Sequence, residues 1–269
     1  IHEYEPGSNQ IEETYRLEYD NSKTLDSGTF TTEGYYLFRT PANLQFKTDK
    51  VYEVYLEREG EVASAKTGIV GPIDIINPPS TQSNRIFREF ILFDIDELGT
   101  ARIEAFQPII YFNYREYNVK TKDSTYKTEI IRLPLRLNNT NDINISYRST
   151  DLNSALAGRL EKDPDILRFF IDMDIEIWAA SEALVTYYEL NEPASGINQN
   201  RPDFEQVENG TGLVTSRTSA RRNNIALEST KVFANLVKSN ATCGLNFVDV
   251  RNNGRDTCYC VDGSIYCLP

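Results

Sequence analysis

Hydrophobic and polar residues alternate along several short segments, which is the pattern of half-buried β-strands. In VYEVYLEREG (51–60), Tyr52, Val54 and Leu56 fall on one face and Glu53 and Glu57 on the other. The shorter stretches ETYRLEYD and GYYLFRT before it repeat the alternation, and EVASAKTGIV follows it as a partner strand. Gly, Asp and Asn turns separate these strands. The first part of the chain is therefore predicted to form a small immunoglobulin-like antiparallel sandwich.

Longer strands are predicted after INPPSTQSN (76–84), where two prolines and small polar residues cannot continue a sheet. They are FREFILFDID, ARIEAF, PIIYFNYREYNV, YKTEIIRLPLRL and LRFFIDMDIEIWAAS. The third and fourth are expected to form a wide hairpin across a second sheet. The chain thus reads as mainly β.

Two segments depart from alternation and have helical spacing. In STDLNSALAGRLEKDP (149–164), Leu152, Leu156 and Leu160 recur at helical intervals. Ser149 or Thr150 is the expected N-cap, and Pro164 the expected stop. A second helix is predicted in SEALVTYYELNEPASG, ending before Pro193.

These elements give three predicted parts along the chain. Residues 1–77 form the immunoglobulin-like β-sandwich, residues 78–248 a larger β-rich domain with two helices, and residues 249–269 a tail clamped by cystines.

Composition narrows the function classes. The 269 residues carry 40 acidic and 28 basic side chains, a net charge of −12, which disfavours binding to nucleic acid or anionic lipid. The chain has one histidine, His2, so histidine-dependent triads and His-rich zinc sites have no supply of imidazole. No apolar run reaches the roughly 18 residues of a membrane-spanning helix.

Four cysteines, Cys243, Cys258, Cys260 and Cys267, follow the spacing C-x14-C-x-C-x6-C. The paired knuckles of a zinc site and the C-x-x-C of a redox centre are both missing, so two disulfides are predicted and no metal. Because neighbours in a C-x-C pair do not close easily on each other, Cys258 and Cys260 should reach separately to Cys243 and Cys267, which leaves two connectivities. Persisting disulfides indicate an oxidising compartment.

Three polar clusters are candidate sites. Tyr111, Arg115 and Tyr117 share one side of a strand, opposite Phe112 and Tyr114, and form a ridge suited to a protein interface or a glycan.

Asp172, Asp174 and Glu176 line one face of a strand, with Ile171, Met173, Ile175 and Ile177 on the other. Three carboxylates in a row suit calcium or glycoside hydrolysis, but the solvated face of a half-buried strand is the favoured interpretation.

Arg217, Arg221 and Arg222 concentrate positive charge in an acidic chain and could receive an anionic group. A solvated loop is the default interpretation of this stretch. No catalytic residue and no cofactor are predicted.

Several segments, taken in order, resemble the DUF4249 group of Bacteroidota surface proteins. They are GYYLFR, DKVYEVYLEREGEVASAKTGIV, FFIDMDIEIWAASEALVTYYEL and NRPDFEQVENGTGLVTSR. The last is similar to that group's late glycine signature, although Val214 stands where Phe is usual. Its glycines, Gly210 and Gly212, are interpreted as allowing positive φ in a tight turn.

The resemblance implies a secreted lipoprotein on the extracellular face of the outer membrane, without assigned enzymatic activity and often encoded beside TonB-dependent transporters. Two features depart from the group: the start of the chain lacks a lipid-attachment cysteine, and the tail carries cystines.

The leading hypothesis is thus a non-enzymatic cell-surface lipoprotein, an accessory subunit of an outer-membrane β-barrel complex, either a TonB-dependent transporter or assembly machinery. It would touch the membrane only through a lipid anchor; a secreted form is the alternative. A carbohydrate-binding or adhesin module using the Tyr111–Tyr117 ridge is the second hypothesis, and a glycan hydrolase using Asp172 and Asp174 the third.

Overall fold

The computed structural model describes residues 1–20, 36–78, 90–98, 103–138, 144–191, 206–226, 233–251, 256–261 and 263–268. Strands occupy 52% of the structure and helices 10%, so the prediction of a mainly β protein is confirmed. The strands are β1 His2–Tyr4, β2 Ile11–Thr14, β3 Glu18–Tyr19, β4 Phe38–Arg39, β5 Val51–Arg58, β6 Glu61–Gly68, β7 Ile73–Asn77, β8 Phe90–Glu97, β9 Ala105–Asn118, β10 Ser124–Arg132, β11 Arg136–Leu137, β12 Asn144–Arg148, β13 Ile166–Ala180, β14 Arg217–Ile225, β15 Asp249–Arg251, β16 Asp256–Val261 and β17 Ser264–Leu268. The helices are α1 Ser149–Ala157, α2 Glu182–Asn191 and a π-helix, Phe233–Val237.

The chain forms two compact units, and each collects separate stretches of sequence. The first contains Ile1–Gly71, Gly99–Ile103 and Ala180–Arg217; the second contains Pro72–Leu98, Glu104–Ala179 and Thr218–Pro269. The organisation predicted from the sequence, with consecutive parts at 1–77, 78–248 and 249–269, differs from this interleaved arrangement. The difference arises because backbone pairing, rather than position along the chain, decides which unit a segment joins.

The first unit is built on a four-stranded sheet in the order β2-β1-β5-β6 and a two-stranded ribbon of β3 and β4. Strands β5 and β6 form the predicted hairpin, closed by Glu59 at φ 55° and Gly60 at φ 86°. Two consecutive positive φ values are the conformation of a tight hairpin turn that follows the sheet twist. Leu56, expected on the apolar face, is instead 57% exposed because it lies near this turn.

A buried carboxylate organises the first unit. Glu3 is 1% exposed and accepts hydrogen bonds from Lys47 Nζ at 2.7 Å, Tyr52 OH at 3.0 Å and Tyr15 OH at 3.3 Å. Burial raises the pKa of Glu3, but the hydrogen bonds from Lys47, Tyr52 and Tyr15 outweigh it and hold the pKa below its ordinary value.

The NGTG segment belongs to this unit through a short antiparallel bridge. Ser64 N donates to Glu208 O at 3.2 Å and Glu208 N donates to Ser64 O at 2.8 Å. The residue in the left-handed conformation is Asn209, at φ 53°, and not Gly210. A Cβ on Gly210 would stand 3.3 Å from Ala63 Cβ and 3.2 Å from Val207 Cγ1. The positive-φ interpretation of Gly210 is therefore wrong; its lack of a side chain permits close packing.

The second unit contains three sheets. The largest has the order β10-β9-β13-β14, with β11 also paired to β9; the other two have the orders β12-β8-β7 and β15-β16-β17. Strands β9 and β10 pair antiparallel over nine residue pairs, from Ser124 opposite Tyr117 to Arg132 opposite Ile109, as the predicted wide hairpin requires. Of the predicted strand ARIEAF, only Ala105 and Phe106 belong to β9, in one strand with most of PIIYFNYREYNV. Ile103 and Glu104 precede the strand, and residues 101–102 lie outside the described part of the chain.

The alternation of β13 shifts by one residue in mid-strand. In the first part of the strand, the even-numbered Arg168 faces the interior. In the second part, the odd-numbered Met173, Ile175 and Ile177 face the interior, and each is 0% exposed. Ile171, predicted to join them, is 40% exposed. A one-residue change of phase is what a β-bulge introduces, and strict alternation read from sequence does not foresee it.

Arg168 joins the large sheet to the C-terminal segment. It is 3% exposed, and its Nε donates to Glu116 Oε1 at 2.9 Å. Its other guanidinium nitrogens donate to two main-chain carbonyls: Nη1 to Leu245 O at 2.7 Å and Nη2 to Glu161 O at 3.0 Å. Its own backbone pairs with residues 246 and 248, since Arg168 N donates to Asn246 O and Val248 N donates to Arg168 O.

The second oxygen of Glu116 accepts from Lys127 Nζ at 2.6 Å. Burial raises the pKa of Glu116, but the hydrogen bond from Lys127 and the charge of Arg168 outweigh it and hold the pKa below its ordinary value of 4.5. Every charge in this buried cluster is therefore paired, as the low dielectric of the interior demands.

Both predicted α-helices are present, but the expected ends of α1 are wrong. Arg148 occupies the N-cap position with no side-chain cap, and Ser149 is already helical. The helix ends at Ala157, before Pro164, and Gly158 caps it in the right-handed conformation. Leu152 and Leu156 are fully buried, so packing of the apolar face fixes the helix. The π-helix was not predicted.

The C-terminal segment carries the predicted disulfides. Cys243 is bonded to Cys260, and Cys258 is also disulfide-bonded. In the register of β16 and β17 the backbone of Cys258 lies opposite Cys267. Of the two connectivities left open by the spacing, the structure contains the one with a Cys243–Cys260 bond. No free cysteine occurs among the described residues.

Substituting Arg168 by Met should reduce the free energy of unfolding by about 3–5 kcal/mol, because one oxygen of the buried Glu116 carboxylate and two main-chain carbonyls would lose their donor. Urea unfolding followed by circular dichroism measures the change. Arg132→Met, at an exposed arginine of the same sheet, is the matched control and should change stability by less than about 0.5 kcal/mol. Equal effects of the two substitutions would contradict the role given to Arg168.

The Cys243→Ser/Cys260→Ser double variant should lose about 3 kcal/mol of stability, since the bond closes a loop with a sequence separation of 17. Unfolding under non-reducing conditions measures the difference from the wild type. Adding a reductant to the variant then reports the contribution of the bond that involves Cys258. Unchanged stability in the double variant would show that the first bond constrains nothing.

Candidate functional site

The outward side of the large sheet in the second unit is the candidate site and is called the polar sheet face below. Its register places Tyr126 opposite Arg115, Thr128 opposite Asn113 and Ile130 opposite Tyr111. Residues directly opposite each other in an antiparallel pair point to the same side. The members of the polar sheet face are Tyr126, Thr128, Ile130, Tyr111, Asn113, Arg115, Tyr117, Asp172, Asp174, Glu176, Trp178 and Arg221.

Strand alternation separates this face from the core, as predicted for the Tyr111–Tyr117 ridge. Tyr111, Arg115 and Tyr117 are half-buried and point outward, whereas Phe112 and Tyr114 are 0% and 1% exposed on the opposite side. The ridge therefore exists as a surface, and the sheet extends it onto the neighbouring strands.

Glu176 accepts hydrogen bonds from two aromatic side chains on this face. Tyr111 OH donates to its Oε2 at 2.7 Å and Trp178 Nε1 donates to its Oε1 at 2.7 Å. Burial raises the pKa of Glu176, but the hydrogen bonds from Tyr111, Trp178 and Ser219 outweigh it and hold the pKa below its ordinary value. The hydrogen bond to Glu176, together with burial, raises the pKa of Tyr111. Glu176 is thus held as a carboxylate that positions two aromatic rings.

The other two carboxylates are also engaged. Asp172 Oδ1 accepts from Asn113 Nδ2 at 2.7 Å, and Asn113 Oδ1 accepts from Thr128 Oγ1 at 2.6 Å. Asp174 accepts from Arg221 Nη2 at 2.8 Å and from the backbone N of residue 224 at 2.9 Å. The carboxylates predicted for one strand face thus cross-link strands of the sheet.

Two guanidinium groups stack on aromatic rings. Arg221 lies 4.3 Å from the centroid of the Tyr111 ring, and Arg115 lies 4.5 Å from that of Phe169. Cation–π contacts of this kind hold both the cation and the ring in place. The face is therefore pre-organised across four strands.

The three arginines predicted to concentrate charge are not brought together. They lie on strand β14 and not in the expected loop; the loop interpretation is wrong because this stretch pairs with the sheet. Arg221 points to the polar sheet face, while Arg222 bonds Ile75 O and lies 3.5 Å from Asp74 on the other side. Arg217 is exposed at the first position of the strand.

Several members of the face were missed from the sequence, chiefly Asn113, Tyr126 and Trp178. Tyr126 is 75% exposed and belongs to the face only through the register of β9 and β10. Trp178, the single tryptophan of the chain, follows Glu176 at the two-residue spacing of a strand face, a signal that the sequence does contain.

Among the described residues, no cluster of three or more His, Cys, Asp or Glu could hold a metal ion. The helices described here are also too short or too polar to cross a membrane. No family model, curated protein or solved structure matches the chain. The resemblance to the DUF4249 group therefore stays a prediction.

Trp178 emission should report the protonation of Glu176. Since hydrogen bonds hold the pKa of Glu176 below 4.5, emission should be constant at higher pH and shift to shorter wavelength only as pH falls through that lowered pKa. The carboxylate's contribution to stability is complete above the ordinary carboxyl pKa and is lost over the same acid range. Glu176→Gln should abolish the shift, whereas Glu104→Gln, at an exposed residue off the face, should not. A shift centred above pH 5 would contradict the assignment.

Proposed function

We propose that the protein is a non-enzymatic accessory subunit of a cell-surface complex and that the polar sheet face binds its protein partner. The proposal is carried by a contrast between the side chains of this face. Its carboxylates are hydrogen-bonded within the chain, whereas its aromatic rings and guanidinium groups remain partly exposed to solvent. Tyr, Trp and Arg are the residue types that anchor protein interfaces. Pre-organised side chains lose little conformational entropy on binding, which favours affinity.

The proposed partner is an outer-membrane β-barrel protein, a TonB-dependent transporter or assembly machinery. This part of the proposal rests on the resemblance to the DUF4249 group. The disulfides support an oxidising compartment, which includes the cell surface. Anchoring by lipid at the extracellular face belongs to the same proposal, with a secreted form as its alternative.

A carbohydrate-binding or adhesin module is the second candidate, since Tyr111 and Trp178 lie beside hydrogen-bonding carboxylates. A sugar needs an open ring face to stack on. The guanidinium of Arg221 stands 4.3 Å over the Tyr111 ring, so one face of that ring is already occupied. Hydrolysis by Asp172 and Asp174 has weaker support still, because Asn113 and Arg221 hold these carboxylates in the sheet.

The decisive experiment is affinity purification of the tagged protein from detergent-solubilised outer membranes of the source organism. A β-barrel protein should co-purify in stoichiometric amount. Tyr126→Ala should weaken its binding at least about tenfold, because an exposed aromatic anchor is removed without breaking an internal hydrogen bond.

Tyr188→Ala is the matched control, since Tyr188 is 48% exposed on helix α2 of the other unit. Its variant should bind like the wild type. Recovery of the protein alone, or equal binding by both tyrosine variants, would overturn the proposal for this face.

A further inference from the structure

A cavity of about 760 Å³ opens beside the Cys243–Cys260 disulfide in the second unit. Its lining includes Lys162, Asp163, Asn246 and Tyr259. The volume lies within the range of about 300–1,000 Å³ that is typical of small-ligand sites. None of these residues belongs to the polar sheet face.

The cavity is built from rigidly held parts. Gly244 N donates to Cys260 O at 3.0 Å beside the disulfide, which fixes the segment that forms one wall to strand β16. Asn246 is 5% exposed, and its Nδ2 donates to Asp163 O at 2.8 Å and to Ile166 O at 3.1 Å. The amide thus locks the opposite wall, and the shape is set before any ligand arrives.

An aromatic platform continues the cavity along the hairpin of β16 and β17. Tyr259, a lining residue, lies directly opposite Tyr266 in the register. Their rings are inclined by 30° with centroids 6.2 Å apart, an offset stacked arrangement. Tyr266 is 51% exposed. The two rings present an apolar surface next to polar groups.

The polar lining groups that the structure describes carry charges of both signs and include both hydrogen-bond donors and acceptors. Lys162 supplies a cation with three donors and Asn240 supplies both donors and an acceptor. Asp163 supplies acceptors, although its Oδ1 already accepts from Asp165 N at 2.8 Å. Lys162 and Asp163 contribute one charge of each sign, so the described lining residues together favour neither an anion nor a cation. A neutral ligand rich in hydroxyl groups fits this lining, because each hydroxyl both donates and accepts.

From these contacts we propose that the cavity and the Tyr259–Tyr266 platform bind a neutral glycan. The C–H face of a pyranose ring packs on the tyrosine rings, and its hydroxyl groups bond Lys162, Asp163 and Asn240. This site goes beyond the accessory role proposed above and does not depend on it.

The test is a titration of the ¹⁵N-labelled full chain with cellohexaose, xylohexaose, mannohexaose and laminarihexaose, with trigalacturonate as the acidic comparison. The amides of Gly244 and Gly263, which line the cavity, are the reporters. At least one neutral oligosaccharide should shift both amides in a saturable way, and trigalacturonate should bind at least tenfold more weakly.

Tyr259→Ala should lower the affinity for that oligosaccharide at least tenfold, and Tyr188→Ala should leave it unchanged. Amide shifts outside the cavity and an intact disulfide show whether the Tyr259 variant is folded. If the Tyr259→Ala variant is not folded, the Lys162→Gln variant tests the site instead. Its affinity for the oligosaccharide should fall at least threefold.

Absence of binding by every neutral oligosaccharide, tighter binding of trigalacturonate, or full affinity in the folded variants would overturn the proposal. Shifts confined to the Trp178 indole would overturn it too and would instead support glycan binding at the polar sheet face. Affinity purification of a β-barrel partner by the Tyr259→Ala variant is a separate measurement, because Tyr259 is not part of the polar sheet face. Failure of the proposed glycan site can therefore be distinguished from failure of the proposed accessory role.

Discussion

The buried guanidinium of Arg168 is the constraint on which the second unit depends. It joins a carboxylate of the large sheet, Glu116, to main-chain carbonyls of two other segments, at Glu161 and Leu245. A planar group with several fixed donors can satisfy carbonyls in different directions, which an ammonium group on a flexible stem does less well. Because the backbone of Arg168 also pairs with residues 246 and 248, the C-terminal segment is held to the sheet by both main chain and side chain.

The disulfide and the arginine act on neighbouring stretches of that segment. Residues 245–248 are held to β13 by Arg168, while Cys243 is tied to β16 through Cys260. The cavity lies between these two attachments, and Asn246 stiffens its wall through carbonyls at 163 and 166. The cavity is therefore preformed: the Cys243–Cys260 disulfide fixes one wall, and the hydrogen bonds of Asn246 fix the other. Breaking these bonds would be costly.

The polar sheet face illustrates how paired charges serve organisation in this protein. Asp172, Asp174 and Glu176 could be read as a catalytic or metal-binding row, yet each meets a donor from another residue of the sheet. Hydrogen bonds that stabilise the charged form lower a carboxyl pKa, as at Glu176, and a group so held is suited to positioning rings. The face therefore combines exposed aromatic surface with little freedom of movement, the combination expected of a binding surface.

The sequence by itself determined the mainly β class, both α-helices, the β5–β6 and β9–β10 hairpins and the presence of disulfides, because alternation, helical spacing and cysteine spacing are local signals. Only the tertiary structure decided that residues 180–217 join the first unit, that Cys243 bonds Cys260, and that Tyr126 shares a face with Arg115. Those facts depend on register and on contacts distant in sequence. The phase shift near Ile171 and the burial of Arg168 could not be predicted from strict alternation of hydrophobic and polar residues. One extra residue in a strand reverses which side chains face the core.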